Sequence, residues 1–143
     1  SRGFIEEISQ RDTSSMTTLA SVDEDTKLTS GTYSISTAEE LAKLATMTNN
    51  YKICSNCEFV LADDIDLSAY STGEGWTPIG TSNQFTATFD GNGYVISNLY
   101  INTPSIIRVG SFGWCISAEI KNVGLENVED IINDVDNSLK NLR

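Results

Sequence analysis

The sequence predicts a mainly β domain of the parallel β-helix or β-solenoid type. Short apolar runs separated by Gly and Asn fill residues 58–126, and one clear amphipathic helix precedes them at 37–48. An apolar pattern centred on an asparagine occurs twice, from residue 96 and again from residue 120, a spacing of 24 residues. A repeat of this length is typical of chains that stack successive turns on one another.

The repeat is written I-x-N-L-x-I at 96–102 and I-x-N-V-x-L at 120–126. We expect the two copies to superpose and their asparagine side chains to form a ladder. Ile-Asp-Leu at 65–67 has the same apolar spacing and is expected to be the preceding repeat. An antiparallel meander is the alternative arrangement. The equivalent pairs are Ile96 with Ile120, Asn98 with Asn122, Leu99 with Val123 and Ile101 with Leu125.

The stretch Asp90, Gly91, Asn92 and Gly93 is either a ligand-binding loop or a bend between strands. Gly and Asn tolerate left-handed φ and so favour a tight turn. The stretch lacks the alternating acidic ligands and closing Glu of a calcium loop. We therefore interpret it as a structural turn.

Three segments are expected along the chain. Residues 1–30 form a polar N-terminal segment with a short helix near Phe4 and Ile8, followed by a linker. Residues 31–126 form the β domain, in which the helix at 37–48 begins with a capping box of Thr37 and Glu40. Residues 127–143 form a C-terminal amphipathic helix, spanning 127–142.

This C-terminal helix has apolar residues at alternating spacings of four and three, a heptad seam. The seam packs either against the rest of the chain or against another copy. Its residues are Val128, Ile132, Val135, Leu139 and Leu142.

Composition limits the classes of partner. The chain has 143 residues, a formal net charge of −11 and a pI of about 4.2. An acidic surface repels phosphate backbones, so nucleic acid is not expected as a partner. No apolar run approaches the ~20 residues of a membrane span, so membrane insertion is not expected. The chain begins Ser-Arg-Gly rather than with Met, so we expect a mature product or an excised piece.

Three cysteines and no histidine argue against a zinc site, which needs about four nitrogen or sulfur ligands. No metal or other cofactor is expected. Cys54 and Cys57 stand three residues apart and form either a local disulfide, which we slightly favour, or two thiols. Cys115 stands alone.

Two further groups of residues were considered as sites. Asp63, Asp64 and Asp66 could pair carboxylates for acid–base work, but solvated outer-face charges are the ordinary case. The aromatic residues could form a sugar-stacking platform, but packing is the simpler interpretation. They are Tyr70, Trp76, Tyr94, Tyr100 and Trp114.

The ordered motifs YSISTAEELAKLA, FVLADDIDLS, WTPIGT, FTATFDGNGYVISNLYI and GSFGWCISAEIKNVGLENV resemble bacterial surface proteins that carry the GLUG motif. The resemblance covers residues 32–127, and the GLUG segment itself maps on 109–123. Ser111 and Cys115 depart from the family pattern. The resemblance implies a right-handed β-helix in exported adhesins and related surface proteins.

The resulting hypothesis is a non-catalytic structural or interaction module of an extracellular bacterial surface protein or appendage. Its partner would be a protein or glycan on a surface, with self-association through the C-terminal helix as a further expectation. One alternative is a flagellin- or pilin-like filament subunit assembled by its terminal helices. Another is a polysaccharide-active β-helix enzyme using Asp64, Asp66 and Asp90.

Overall fold

The structure, a computed structural model, describes residues 9–81, 83–102, 119–127 and 129–131, the last three as backbone only. One α-helix in this part of the chain, α1, spans Ala38–Asn49. Short 3₁₀ turns cover Leu19–Ser21 and Ser68–Tyr70. The strands are β1 Thr17–Thr18, β2 Gly31–Ile35, β3 Cys57–Leu61, β4 Ile65–Asp66, β5 Thr88–Asp90, β6 Val95–Ser97, β7 Tyr100–Asn102, β8 Glu119–Lys121, β9 Gly124–Glu126 and β10 Glu129–Ile131.

All ladders between these strands are parallel, so the chain is mainly β with parallel sheets. The strand orders are β1-β2-β3-β5-β8, β4-β6-β9 and β7-β10. The registers align Phe59 with Phe89, Phe89 with Ile120, and Ile65 with Ile96. A meander of hairpins would give antiparallel ladders instead. The described strands therefore rule out that alternative.

The spacing of 24 residues predicted for the repeat is wrong. Ile96 lies beside Leu125, which is 29 positions further on, and not beside Ile120. Ile101 likewise lies beside Asp130 and not beside Leu125. The expected partnership of Ile65 with Ile96 is confirmed. The remaining predicted pairs, Asn98 with Asn122 and Leu99 with Val123, belong to the same displaced alignment.

The displacement has a physical cause, because two successive corners of the chain use the same local pattern. Asn98 lies between β6 and β7, whereas Asn122 lies between β8 and β9. Asn98, Asn122 and Asn127 have φ of 61°, 59° and 53°, a left-handed conformation that asparagine tolerates. A strand, an asparagine corner and a second strand therefore look alike wherever they occur.

The asparagine ladder joins other residues than predicted. Asn127 donates its side-chain amide to Asn98 Oδ1, and Asn98 donates in turn to Asp66 Oδ1 at 2.8 Å. Asn122 donates instead to Asp90 Oδ1, at the preceding corner. Each corner thus has its own ladder.

The helix predicted at 37–48 is confirmed as α1. Thr37 accepts a hydrogen bond from Glu40 N at 3.1 Å, as a capping box requires. Glu40 is 5% exposed, and its carboxylate also accepts from Ser36 N and Ala20 N. The predicted apolar face, which includes Leu41 and Leu44, is buried.

The prediction of a polar linker before residue 31 is wrong for part of its length. Thr17 and Thr18 pair with β2, and Leu19 and Leu28 are 0% and 6% exposed. Two isolated leucines in a polar stretch have no periodicity by which sequence analysis could find them. The short helix predicted near Phe4 and Ile8 lies outside the described residues.

The C-terminal helix predicted from residue 127 is wrong at its beginning. Glu129–Ile131 form β10, which pairs in parallel with β7, and Asn127 has the left-handed φ of a corner. The seam residues lie outside the described side chains; they are Val128, Ile132, Val135, Leu139 and Leu142.

The core lies between the parallel sheets and α1. Buried side chains from the second and third strand rows, such as Ile65, Ile96 and Ile101, join those of α1 and of the 76–89 segment. Tyr33 stacks on Phe59 with ring centroids 5.7 Å apart, and Phe59 lies 6.4 Å from Phe85. The register between strands thus stacks aromatic rings from one strand to the next.

Candidate functional site

The stretch Asp90–Gly93 forms the corner between β5 and β6. Gly91 C=O accepts from Tyr94 N at 2.9 Å, while Asn92 and Gly93 have φ of 56° and 81°. Positive φ at both central residues is the geometry of a type I′ turn. A Cβ on Gly91 would meet Asn122 O at 2.5 Å, so the next corner approaches too closely for any side chain there. The stretch is therefore placed as a bend.

The Asn92 side chain joins the corner to two other segments. Asn92 is 2% exposed, and its Nδ2 donates to Leu61 O at 3.2 Å and to Arg11 O at 3.1 Å. Its Oδ1 accepts from Arg11 N at 2.7 Å. The amide therefore uses both its donor and its acceptor groups in holding the N-terminal segment and the end of β3.

Asp90 is also engaged within the protein. Its Oδ1 accepts from Asn92 N at 2.8 Å and from Asn122 Nδ2 at 3.1 Å, while its Oδ2 accepts from the Arg11 guanidinium at 3.1 Å. Arg11 also donates to both carboxylate oxygens of Glu58, at 2.6 and 3.0 Å. We call Arg11, Glu58, Asp90, Asn92 and Asn122 the corner network.

Electrostatics in the corner network favour the charged forms. The hydrogen bonds to Glu58 and then to Asp90 raise the pKa of Arg11 above its already high value. Burial raises the pKa of Asp90, but the hydrogen bonds from Asn122, Asn92 and Arg11 outweigh it, so the pKa lies below its usual value. Asp90 is thus an ionised partner in a clamp and is poorly suited to donate a proton as a general acid.

Acid should weaken this clamp. A carboxylate whose pKa is lowered in the folded state stabilises the fold above its unfolded pKa, about 3.9, and that contribution is lost as pH falls through the folded pKa. We expect Asp90→Asn to lower the free energy of unfolding at pH 7 by about 1.5–3 kcal/mol. The difference from the parent chain should shrink below about pH 4. Urea unfolding midpoints measured across this range check it.

Glu58 and Lys121 also face this carboxylate, so Glu58→Gln serves as the matched control. Glu58 is more exposed than Asp90, with side-chain exposures of 24% and 3%. Its replacement should therefore cost less at pH 7. A difference between Asp90→Asn and the parent that is independent of pH would show that the charge of Asp90 does not contribute.

Sequence analysis identified Asp90 and Asn92 but missed Arg11 and Glu58. Arg11 lies 79 positions from Asp90. One signal was available: Arg11 is one of only 9 basic residues among 20 acidic ones, so each cation has many potential partners. Nothing in the sequence shows which partner it chooses.

Asp64 and Asp66, the proposed catalytic pair, are placed on the exposed face opposite Ile65 and Leu67. Asp64 Oδ1 accepts from Val95 N at 2.9 Å. Asp66 Oδ1 accepts from Asn98 Nδ2 and Ser68 N, and these bonds lower its pKa. Asp63 Oδ1 accepts from Asp64 N. Each of these carboxylates binds backbone or corner groups nearby.

The local disulfide between Cys54 and Cys57 is absent from the structure, where both residues are thiols. Their sulfur atoms lie 3.8 Å apart, well beyond the length of an S–S bond. Cys54 donates to Thr29 O, which directs its thiol along a separate hydrogen bond. Burial raises the pKa of the Cys57 thiol to about 11, which suppresses the nucleophilic thiolate at neutral pH. Cys115 lies outside the described residues.

The aromatic residues do not form one exposed platform. Trp76 is 2% exposed, and Tyr70 packs edge-on against it with centroids 5.3 Å apart. Tyr94 and Tyr100 are half-buried elsewhere, and Trp114 lies outside the described residues. Tyr51 is the most exposed large hydrophobic side chain described, at 62%.

Within the described residues, no group of three or more His, Cys, Asp or Glu side chains is arranged to hold a metal ion. In the same part of the chain, no helix combines the length and apolar character needed to span a bilayer.

Comparison with known proteins gives two partial similarities. The chain is 45% identical over 58 residues to a Gly-rich membrane protein of Evansella cellulosilytica, covering 38% of this chain and 7% of that protein. It is 34% identical over 99 residues to halomucin of Haloquadratum walsbyi, covering 62% of this chain and 1% of halomucin. The chain thus spans a small fraction of each relative. No family model matches it, and no solved structure matches it.

Proposed function

We propose that the chain is a non-catalytic structural and interaction unit of an extracellular bacterial surface protein, built as a short right-handed β-helix. The observation that carries this proposal is the parallel register at intervals near 30 residues. Phe59, Phe89 and Ile120 follow one another in one sheet, and Ile65, Ile96 and Leu125 in another. Such intervals are what a chain that winds through three strand rows per turn would give.

Three further features support a β-helix. Left-handed asparagines turn the chain between rows, at Asn98, Asn122 and Asn127. Side-chain amides bridge neighbouring turns at these corners. Connections between parallel strands of one sheet are right-handed in about 98% of cases, which favours the right-handed form.

A structural role is favoured over catalysis by the use made of the carboxylates. Asp64, Asp66 and Asp90 all accept hydrogen bonds from neighbouring strands or corners. A catalytic pair must instead direct its oxygens at a substrate. In a rigid rod the same bonds fix one turn on the next.

The surface location is supported by the printed names of the two relatives, a membrane protein and a halomucin, and by the resemblance to GLUG-motif proteins. It also accords with the exposure of Ile120 and Leu125, which are 39% and 51% exposed on the last described strands of their sheets. Their inward-facing counterparts Phe89 and Ile96 are 0% exposed. In a longer rod, a further turn would cover these side chains.

The test is accessibility of the domain on intact source cells. An antibody raised against the purified chain should label cells without permeabilisation, and protease added outside the cells should remove the label. An antibody against a cytoplasmic protein should label only permeabilised cells. Labelling of this domain that requires permeabilisation would contradict the surface assignment.

The filament-subunit hypothesis rests on the terminal helices. Because the seam lies outside the described residues, that hypothesis stays a prediction of the sequence. Light scattering of the intact chain beside a variant ending at Glu126 tests it. A particle larger than a monomer that becomes monomeric on truncation would favour it.

A further inference from the structure

A groove of about 410 Å³ lies between α1 and the segment 70–81. This volume falls within the usual range of small-molecule sites, about 300–1,000 Å³. The groove is separate from the corner network and contains none of its residues. Its lining consists of Ala42, Ala45, Thr46, Asn49, Asn50, Tyr70, Gly75, Trp76, Thr77 and Thr81.

The groove is fixed by hydrogen bonds across it. Asn49 Nδ2 donates to Pro78 O at 3.3 Å, and Asn49 Oδ1 accepts from Gly80 N at 3.2 Å. Asn83 donates to Thr48 O, which ties the segment to the end of α1. Trp76 N donates to Tyr100 O on β7. Both walls are therefore held in place before any ligand arrives, which lowers the entropic cost of binding.

Gly75 permits one of these close approaches. Its φ is +82°, and a Cβ there would lie 2.0 Å from Tyr100 O. No other residue could bring the chain this close to β7 without shifting the backbone. The wall that carries Trp76 thus depends on this glycine.

The lining is neutral. It contains no Asp, Glu, Lys or Arg, although the whole chain has 20 acidic residues and a net charge of −11. Around this neutral groove the acidic surface disfavours anionic ligands. The absence of a charged side chain in the lining also leaves no partner for a cationic group. A neutral ligand is the best match to these electrostatics.

The lining combines apolar and hydroxyl-binding surfaces. Ala45 and Trp76 are its most buried residues, with 3% and 2% exposure, and the half-buried Tyr70 ring stands edge-on to Trp76. Thr46, Asn50 and Thr77 are exposed and present hydroxyl or amide groups. Sugars carry hydroxyl groups around an apolar ring, and therefore suit such a lining.

We propose that this groove binds a neutral sugar unit of a surface glycan, with Tyr70 as the apolar contact and Thr46, Asn50 and Thr77 as hydrogen-bonding partners. The proposal rests on the proposed function, since it names the ligand of an interaction unit. A peptide is less well matched: strand addition needs an open sheet edge, and helix binding needs a longer apolar groove.

The test is titration of the purified chain with cellobiose, maltose, lactose and N,N′-diacetylchitobiose, followed by amide and side-chain chemical shifts. At least one sugar should give saturable shifts centred on the lining, with Kd at about 1 mM or tighter. Glucuronic acid and blocked tri-alanine serve as anionic and peptide probes. Saturable binding of tri-alanine alone, or of no probe, would overturn the proposal.

Two groove-filling variants and one control localise the binding. Ala42→Phe and Thr46→Phe place a ring in the groove from half-buried and exposed positions of α1. Each should weaken sugar binding at least tenfold. Ala20→Phe adds the same ring at an exposed position outside the lining and should leave binding unchanged. Equal affinity in all three variants would show that the sugar binds elsewhere.

Urea unfolding of each variant establishes that it is folded before titration. Because these measurements use purified protein, they are independent of where the protein resides in the cell. Loss of sugar binding with normal surface labelling would reject the glycan site alone. Sugar binding without surface labelling would reject the surface location alone.

Discussion

Replacing Asn92 by alanine is expected to lower the free energy of unfolding by about 2–5 kcal/mol, a large part of the 5–15 kcal/mol typical of a domain. Two effects combine. Alanine at φ of 56° is strained by about 1–2 kcal/mol. Loss of the amide also leaves Leu61 O and the Arg11 backbone without these partners, at about 1–3 kcal/mol. Unfolding in urea, followed by circular dichroism, measures the sum.

Two further variants separate these effects. Asn92→Gly removes the side chain but tolerates the left-handed backbone, so it should recover the strain contribution alone. Asn122→Ala is the matched control, because Asn122 has nearly the same φ, 59°, but an exposed side chain. Its replacement should cost less than that of Asn92. Equal losses at the two positions would show that the buried hydrogen bonds of Asn92 do not contribute.

The sequence allowed correct prediction of features that depend on neighbouring residues. The capping box of Thr37 and Glu40 needs only a spacing of three, and α1 begins where it predicts. The alternation of Ile65 and Leu67 with Asp64 and Asp66 predicted the buried and exposed faces of that segment. The turn residues at 91–93 follow from the backbone freedom of Gly and Asn.

Features that depend on distant partners were predicted less well. The apolar pattern around an asparagine marks a corner but does not show which corner. Ile96 was therefore aligned with Ile120 when its neighbour is Leu125. Arg11 finds Asp90 and Glu58 only after three segments have been brought together. Single-sequence periodicity contains local spacing, whereas register between stacked strands depends on the lengths of all the intervening segments.

Phe59→Ala is the second change with a large expected effect, about 3–5 kcal/mol in the free energy of unfolding. Phe59 is 0% exposed on the central strand β3, between Tyr33 on β2 and Phe89 on β5. Its ring packs against Tyr33 and Phe85. Removing the ring leaves a cavity between two strand interfaces at once. Guanidinium unfolding, with the slope compared between variants, measures the loss.

The position of a residue along the sheet should set the size of this effect. Ile120 occupies the same register row on β8 but is 39% exposed, so Ile120→Ala should cost well below the 2–5 kcal/mol typical of a buried isoleucine. Tyr51→Ala, at a side chain 62% exposed, should change stability by less than about 0.5 kcal/mol. Stability that falls in the order Phe59, Ile120, Tyr51 follows from a core packed between strands and open at its last described row. A loss at Ile120 equal to that at Phe59 would contradict this order, because it would require a further layer of the protein to cover β8.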